Sequence, residues 1–202
     1  MRMRELSAED FRKLIQDGYD VRNATLSGEI LGCLALEGQD VQNCDFSQCR
    51  FPECSFERAT LEDVNFVGCD LNGVDFRDAG LKNVTFTNCR MTGASFISAS
   101  LSGCALIGSQ AQYCNFSLSR MKDCTIVESS LKEAVFSGTR FQKCTLEADF
   151  TRADFMHAEL SSVDLRKCVI DGALFAPMEL QGLIVSREQA ASIAAILGLK
   201  IM

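Results

Sequence analysis

Large apolar residues recur at every fifth position along most of this chain. A small residue such as Cys44, Ala59 or Val64 stands two places before each of them. The large series starts at Leu26, has one weak position at Ala111, and includes Leu36, Val41, Phe46, Phe51, Phe56, Leu61, Phe66, Leu71, Phe76, Leu81, Phe86, Met91, Phe96, Leu101, Leu106, Phe116, Met121, Ile126, Leu131, Phe136, Phe141 and Leu146. A period of five fits neither the 3.6 residues of a helical turn nor the two of an ordinary strand. The pattern predicts a square coil in which each five residues form one side, turn one corner and point the small and large residues inward.

Four such sides make a coil of about twenty residues, and coils stack through backbone hydrogen bonds at about 4.8 Å per layer. The series from Leu26 to Leu180 predicts about eight coils, and hence an all-β solenoid in the form of a parallel β-helix. One interior column should stack aromatic ring on aromatic ring. Its members are Phe56, Phe76, Phe96, Phe116, Phe136 and Phe155.

One residue is missing from the repeat after Leu146, because the next large residue is Phe150. The shifted frame then continues to Leu180, and Cys168 obeys it by standing two places before Ile170. We therefore expect the coil to continue through this deletion.

A stacked rod exposes unpaired strand edges at both ends, and the sequence predicts a cover for each. At the start, Ser7 is placed as an N-cap with Asp10 three residues on, and Gly18 ends the segment. The apolar face between them consists of Phe11, Leu14 and Ile15. We expect a short helix that covers the first coil.

At the other end, Ser186 and Gln189 form a capping-box pattern and Gly198 stops the helix. Its apolar face consists of Ala190, Ile193, Ala194 and Leu197. Leu199 and Ile201 then predict a brief final strand. The chain thus divides into a capping helix at 1–20, a repeat region at 21–182 and a terminal helix with a short strand at 183–202.

Eleven cysteines would ordinarily suggest disulfides or a metal site, but their spacing does not. There is no Cys-x-x-Cys, and the chain has 1 histidine, His157. Cysteines separated by multiples of five fill the small inward position, and these are Cys44, Cys49, Cys54, Cys69, Cys89, Cys104, Cys114, Cys124 and Cys144. Free cysteine behaves this way in a reducing compartment. Only Cys33 breaks the pattern.

A rod filled by inward Phe and Leu side chains leaves no pocket for catalysis. His157 follows the inward Phe155 by two positions, so it should face solvent. The adjacent acids Glu9-Asp10 and Glu62-Asp63 are explained more simply by a solvated surface than by acid–base chemistry. Phosphate-binding loops and metal-ligand spacings are absent from the sequence. We expect no catalytic, cofactor or metal site.

The net charge is -7 and the sequence pI is about 4.8. This balance disfavours direct binding to nucleic acid and favours basic or DNA-binding protein partners. The candidate partner-binding acids are Glu37, Asp40, Glu57, Glu62, Asp63, Asp75 and Asp78. The other half of the rod should carry a basic group on one side, which contains Arg120, Lys122, Arg140 and Lys143.

Two interpretations of this charge stay open. Regularly spaced carboxylates can resemble duplex DNA to a protein that expects phosphates. Alternatively, the acids keep a repeat protein soluble. A modest apolar stripe of Val67, Ile107 and Val127 should also point outward, either as a partner surface or as β-branched residues that favour a strand.

The repeat, loosely A-[D/N]-[L/F]-x-x, resembles the pentapeptide-repeat family. The segments LEDVNFVGCDLNGVDFRDAGLKNVTF and ADFTRADFMHAELSSVDL are similar to it, and the resemblance covers roughly residues 21–182. It implies a right-handed helix with a quadrilateral cross-section.

The terminal segment LQGLIVSREQAASIAAILGLKIM resembles the carboxyl terminus of the Qnr and MfpA quinolone-resistance proteins. That resemblance implies a homodimer through this end, formed by Ala190, Ile193, Ala194, Leu197, Leu199 and Ile201. It also implies binding to DNA gyrase or topoisomerase IV and protection from quinolones or related poisons. The helical lid at the start and the lack of interrupting loops depart from the pattern. The alternative is an interaction scaffold or adaptor with no topoisomerase role.

No apolar run approaches the roughly 18 residues of a membrane span, and the first residues lack the apolar stretch of a secretion signal. We therefore expect a cytoplasmic protein without a membrane partner.

Overall fold

The chain winds into a four-sided parallel β-helix with a helix at each end. The computed structural model describes residues 3–196 and 198–199. The strands are β1 Arg4–Glu5, β2 Val21–Ser27, β3 Asp40–Ser47, β4 Thr60–Val67, β5 Gly80–Lys82, β6 Thr85–Thr87, β7 Ser100–Ser102, β8 Ala105–Ile107, β9 Arg120–Lys122, β10 Thr125–Ser130, β11 Arg140–Gln142 and β12 Thr145–Asp149. The helices are α1 Ala8–Gln16, a 3₁₀ helix at Pro177–Leu180 and α2 Arg187–Ile196.

Residues twenty positions apart pair in parallel along most of the rod, as Val41 does with Leu61 and Leu61 with Leu81. The stack makes about 7 turns, close to the count of about eight that the sequence predicts. Strands cover two of the four sides, and isolated bridges such as Ser55 to Asp75 join the other two. The repeating coil predicted from the period of five is confirmed.

We name the four sides by their inward residues, all of which are buried. The first face contains Val21, Val41, Leu61, Leu81, Leu101, Met121, Phe141 and Leu160. The second contains Leu26, Phe46, Phe66, Phe86, Leu106, Ile126, Leu146 and Leu165. The third contains Leu31, Phe51, Leu71, Met91, Ala111, Leu131, Phe150 and Ile170. The fourth contains Leu36, Phe56, Phe76, Phe96, Phe116, Phe136, Phe155 and Phe175. Coils are numbered along the first face, from Val21 in the first coil to Phe141 in the seventh.

The corner between faces is made by the residue two places after each inward one. From Asn23 to Lys143 every fifth residue has a positive φ, whether it is a glycine or a bulky residue such as Tyr113 or Leu118. On the fourth face the corner is closed by a turn, because the backbone N–H of Ala59 donates to the carbonyl of Phe56 at 3.0 Å. A positive φ at the third residue of such a turn defines type II geometry.

The deletion after Leu146 removes one of these corner residues. Val127 still pairs with Glu147, but the next pair joins Ser130 to Asp149. Leu146 and Phe150 both remain buried. The predicted continuation of the repeat through the deletion is confirmed, since the missing residue points outward and the core keeps its register.

The aromatic column of the fourth face stacks as predicted. Its ring centroids are 4.8 to 5.0 Å apart from Phe56 to Phe155, and the ring planes lie within 13° of parallel. The column extends one step further, to Phe175 at 5.3 Å. Each stacked pair adds about 0.5–1.5 kcal/mol beyond its burial.

The inward cysteines do more than fill a small site. The Cys69 thiol donates to the carbonyl of Phe46 at 3.2 Å, and the Cys89 thiol donates to that of Phe66 at 3.3 Å. The hydroxyl of Ser109 makes the same bond to Phe86 at 3.0 Å. Where the small inward residue carries a thiol or hydroxyl, as at these three positions, it donates a hydrogen bond to the coil below it.

All eleven cysteines are free thiols. Burial raises the pKa of the Cys44 thiol to about 11 and that of Cys114 to about 12. Cys33 is exposed at a corner, as its break from the pattern indicates, and its hydrogen bond to Glu53 raises its pKa.

The amino-terminal lid forms as predicted. Ser7 caps α1, because the backbone N–H of Asp10 donates to its hydroxyl at 3.1 Å and the Asp10 carboxylate accepts from the Ser7 N–H in return. Phe11 is fully buried, with its ring 5.8 Å from that of Phe46. Strand β1 adds a further layer by pairing with β2, so both features cover the first coil.

The carboxyl-terminal helix α2 begins with the predicted capping box. The Ser186 N–H donates to the Gln189 side chain at 2.8 Å, and the Gln189 N–H donates to the Ser186 hydroxyl at 3.2 Å. The Gln189 amide also donates to the carbonyls of Leu165 and Cys168, at 2.7 and 2.8 Å. These two bonds fix the helix onto the last coil.

The residues predicted for dimerisation lie partly in this helix. Ile193 is buried in its own chain, while Ala190 and Leu199 are exposed and Ala194 is half-buried. Leu199 lies in no strand. The remaining two, Leu197 and Ile201, lie outside the described residues. Dimerisation through this end stays a prediction.

Within the described part of the chain, no helix has the length and apolarity needed to cross a bilayer.

Candidate interaction surfaces

The outer residues of the rod are the ones before and after each inward residue, together with the corners. They alternate with buried positions, because adjacent side chains of an extended chain point to opposite sides. Any function of the repeat region must therefore be carried by these outward side chains.

The structure places the seven candidate acids on two adjoining faces of the first three coils. Those on the first face are Asp40, Glu62 and Asp63, and those on the fourth face are Glu37, Glu57, Asp75 and Asp78. The fourth face of each coil leads directly into the first face of the next. The acids therefore border a common edge at the amino-terminal end of the rod. We call this set the acidic surface.

Part of the acidic surface is neutralised by arginine. A guanidinium nitrogen of Arg77 lies 3.1 Å from the Glu57 carboxylate and 2.6 Å from that of Asp75, and Arg58 lies 3.1 Å from Glu57. Partial burial of Asp75 opposes its ionisation, but the bonds from Arg77 outweigh this and lower its pKa. The fourth-face acids therefore present less charge than their number suggests.

The first-face acids are also partnered. Arg22 lies 3.8 Å from Asp40, Lys82 pairs with Glu62, and the Asn83 amide donates to Asp63 at 2.9 Å. The hydrogen bond from Lys82 to Glu62 raises the pKa of Lys82. These cations lie on the coils next to the acids, about twenty positions away along the chain. Counting charges within one segment of the sequence therefore misses them.

Two acids of the surface lack a cationic partner among the described residues. Within the part of the chain that the structure describes, Glu37 and Asp78 form no ion pair. Among the residues that the structure describes, Asp63 has only the neutral amide of Asn83 as a side-chain hydrogen-bond partner. These three carboxylates are the most available to a partner.

The predicted basic group does lie on one side of the rod. Arg120 and Arg140 are paired positions of β9 and β11, and Lys122 pairs with Gln142. Lys143 follows at the corner of the same first face. Arg140 lies 2.7 Å from Glu159, and both line a shallow groove of about 320 Å³. The first face is thus acidic in coils two and three and basic in coils six and seven.

The residues of the predicted outward apolar stripe lie side by side on successive coils. Val67, Thr87, Ile107 and Val127 pair in sequence on the second face, and Val67 is 42% exposed. Further exposed apolar residues lie in the middle of the fourth face, at its carboxyl-terminal end and beyond it. These were not predicted from the sequence and are Leu118, Leu174 and Met178, at 64%, 50% and 87% exposure. Leu118 stands at a corner position, which is the signal that could have identified it.

One further titratable pair lies near the carboxyl-terminal end of the rod. His157 is exposed, as predicted, and its Nδ1 lies 3.5 Å from Glu179. Among the described residues, no group of three or more His, Cys, Asp or Glu side chains is arranged to hold a metal ion.

The model of the Pentapeptide repeat region matches residues 39–116 and 94–175. This chain belongs to the pentapeptide-repeat family. No curated protein sequence matches it.

Among solved structures, a trypsin-treated variant of QnrB1, a plasmid-mediated fluoroquinolone resistance protein, is 23% identical. The match covers 91% of this chain and 94% of that one, with a TM-score of 0.49. HetL of the cyanobacterium Nostoc sp. strain PCC 7120, which is involved in heterocyst differentiation regulation, is 17% identical. That match covers 90% and 94% of the two chains, with a TM-score of 0.42. Family membership does not by itself specify a partner.

Proposed function

We propose that this pentapeptide-repeat protein is a non-catalytic cytoplasmic protein that binds a type II topoisomerase, DNA gyrase or topoisomerase IV, and protects it from quinolones or related poisons. The observation that carries the proposal is the acidic surface on two adjoining faces of a rod with a filled interior. The resemblance of the carboxyl-terminal segment to the Qnr and MfpA proteins supports this choice of partner.

The physical basis is the field that the carboxylates create. Successive coils repeat outward charges at about 4.8 Å, and duplex DNA carries one charge per about 1.7 Å of its axis. A protein surface that attracts phosphates responds to such a field whatever group carries the charge. Since arginine and lysine neutralise four of the seven acids, Glu37, Asp63 and Asp78 should contribute most to binding.

A supercoiling assay with purified gyrase, with and without ciprofloxacin, tests the proposal. The wild-type protein should reduce drug-stabilised cleavage or alter supercoiling. The combined substitutions Glu37→Gln, Asp63→Asn and Asp78→Asn should weaken this effect, because they remove the charges without a cationic partner. The matched control carries Glu9→Gln, Glu128→Gln and Asp171→Asn, three exposed acids elsewhere on the chain, and should keep the effect. An assay unchanged by a large molar excess of wild-type protein contradicts the proposal.

The second candidate is an interaction scaffold or adaptor with no topoisomerase role. The exposed Leu118, Leu174 and Met178 favour it, because DNA mimicry does not explain apolar side chains on the surface. Affinity capture with the wild-type protein and with Leu118→Ser distinguishes the two. A non-topoisomerase partner that is lost with Leu118→Ser and kept by the triple acid variant supports the scaffold.

A further inference from the structure

We propose that the eighth coil and α2, residues 160–196, open together as one unit by separating from the seventh coil. The eighth coil begins on the first face at Leu160 and leads through the 3₁₀ helix to α2. The separation starts at a slit between the two coils, which the deletion after Leu146 produces. The proposal does not depend on a topoisomerase partner.

The seventh and eighth coils differ in length where they face each other. One bridge joins Arg140 to Glu159, and the following one joins Asp149 to Val169. Between these two bridges the chain advances one position more in the eighth coil than in the seventh. An extra residue on one of two paired segments disrupts the hydrogen-bond ladder between them.

The backbone ladder is interrupted between these two bridges. Every earlier pair of neighbouring coils is joined on all four faces, as Thr125 and Thr145 show on the second face. In the described chain, no backbone hydrogen bond joins residues 141–147 to residues 160–167. The second face is therefore unpaired at this level, and fewer backbone bonds hold the eighth coil than hold the coils before it.

The core is less well shielded at the slit than one coil earlier. The slit has a volume of about 520 Å³, and Cys144 lies in its wall. Cys144 is half-buried, whereas Cys124 of the same inward column is 2% exposed. On the first face, Phe141 is 8% exposed against 1% for Met121. The interruption thus reaches inward to the edge of the core.

The side-chain contacts across the slit are weak ones. The Lys167 ammonium lies 2.9 Å from the Glu147 carboxylate, and both side chains are exposed. The Cys168 thiol donates to the carbonyl of Leu146 at 3.3 Å. Exposed ion pairs contribute little to stability, and a thiol is a weak donor. These contacts close the slit without replacing the missing backbone bonds.

Helix α2 belongs to the opening unit because it is fixed to the eighth coil. The Gln189 amide donates to the carbonyls of Leu165 and Cys168, both of which lie beyond the slit. Elements that share their contacts open together as one cooperative unit. The helix should therefore move with the coil.

Opening exposes two groups that the closed rod protects. One is the edge of β12 that faces the slit, and an unpaired strand edge can accept an extended segment of another chain. The other is the Cys168 thiol. Burial raises the pKa of Cys168 to about 11 in the closed rod, and a buried thiol with a raised pKa reacts slowly. Its reactivity therefore reports opening.

Thiol labelling tests the proposal. The protein is treated with iodoacetamide at neutral pH, mass spectrometry follows each cysteine, and rates are normalised to those of the urea-unfolded chain. Cys168 should be labelled at least about tenfold faster than Cys114 and Cys124, which local opening leaves buried. Its rate should also rise less steeply with urea, because local opening exposes less surface than global unfolding. The exposed Cys33 serves as the reagent control.

A variant with one glycine inserted between Glu147 and Ala148 is the decisive comparison. The insertion makes the two facing sides equal in length, so the ladder can close. The ratio of the Cys168 rate to the Cys114 rate should then fall to about one. An unchanged ratio would mean that opening is unrelated to the deletion, and it overturns the proposal.

Hydrogen exchange of the wild type gives a second measurement that needs no variant. The amides of Leu174 and Val135 hold equivalent places on the fourth face, and each donates to the preceding coil at 2.9 Å. Leu174 should exchange at least about tenfold faster, because its bond crosses from the eighth coil to the seventh. Equal exchange of the two amides, or equal labelling of Cys168 and Cys114 in the wild type, overturns the proposal.

Discussion

At the scale of single residues, the inward and corner positions have different physical requirements. The large inward positions must be apolar, so their period of five is visible in the sequence and predicted the core. Corner positions must adopt a positive φ, which glycine does at little cost and other residues do at about 1–2 kcal/mol. The corners remained unpredicted because residues such as Arg58, Tyr113 and Leu118 occupy them alongside glycines. The surrounding coil imposes the conformation on these side chains.

A pair of glycine substitutions tests the requirement for a positive φ at the corner. Gly73 lies at a corner with φ of 66°, whereas Gly80 lies in a strand without a positive φ, and an added Cβ would meet no atom within 4 Å at either site. Gly73→Ala should reduce the free energy of unfolding by about 1 kcal/mol, because alanine resists this conformation. Gly80→Ala should leave it unchanged or raise it by about 0.5 kcal/mol.

Urea denaturation of both variants measures these free energies. Since the chemical change is the same and both sites are open, backbone conformation alone separates the two. Equal effects at the two sites would contradict the assignment of strain to the corner.

At the scale of elements, local motifs were predictable and their docking was not. The capping box of Ser7 and Asp10 and that of Ser186 and Gln189 are defined by residues three apart, so the sequence predicted both helices. The bonds from Gln189 to Leu165 and Cys168 span more than twenty residues. They depend on where the last coil ends, which the sequence pattern does not specify.

The deletion after Leu146 predicts how the number of residues in one side of the coil affects stability. Inserting one glycine between Glu147 and Ala148 should restore a five-residue side with a corner, and change the free energy of unfolding by less than about 1 kcal/mol. The same insertion after Val127 should cost about 2 kcal/mol or more, because Glu128 already forms that corner and the side would contain six residues.

Thermal melting monitored by circular dichroism compares the two insertions. They lie one coil apart on the same face, so position in the rod is matched. An insertion after Val127 that melts like the wild type would show that the sides tolerate a variable length.

At the scale of the whole molecule, the sequence predicted the polarity of the rod but overestimated its acidity. The sequence pattern does not show that Arg22 and Lys82, which lie one coil away, neutralise the candidate acids Asp40 and Glu62. Stacking places residues twenty apart side by side, so charge must be counted between coils. The same stacking gathers the inward thiols into a common dry interior.

A hydrogen bond with a neighbouring thiol lowers the pKa of Cys89 and of Cys104. The inward thiols whose pKa is raised instead predict that the whole rod loses stability in alkali. Burial raises the pKa of Cys44 and Cys54 to about 11 and that of Cys114 to about 12, above the ordinary value near 9. The unfolded chain therefore loses thiol protons first as the pH rises, which favours unfolding. The stabilisation is complete below about pH 9 and is lost progressively up to about pH 11 to 12. Each such thiol should lower the free energy of unfolding by up to about 1.4 kcal/mol per pH unit in this range.

Urea denaturation at pH 7.5 and at pH 10 measures the loss. The variant Cys114→Ala should lose less stability between the two pH values than the wild type, because it removes one buried thiol. Cys33→Ser should differ from the wild type less than Cys114→Ala does, since this thiol is exposed and its pKa is raised mainly by the hydrogen bond to Glu53 and not by burial. A wild-type protein equally stable at both pH values would mean that the inward thiols reach water in the folded rod, and the interior would then not be closed.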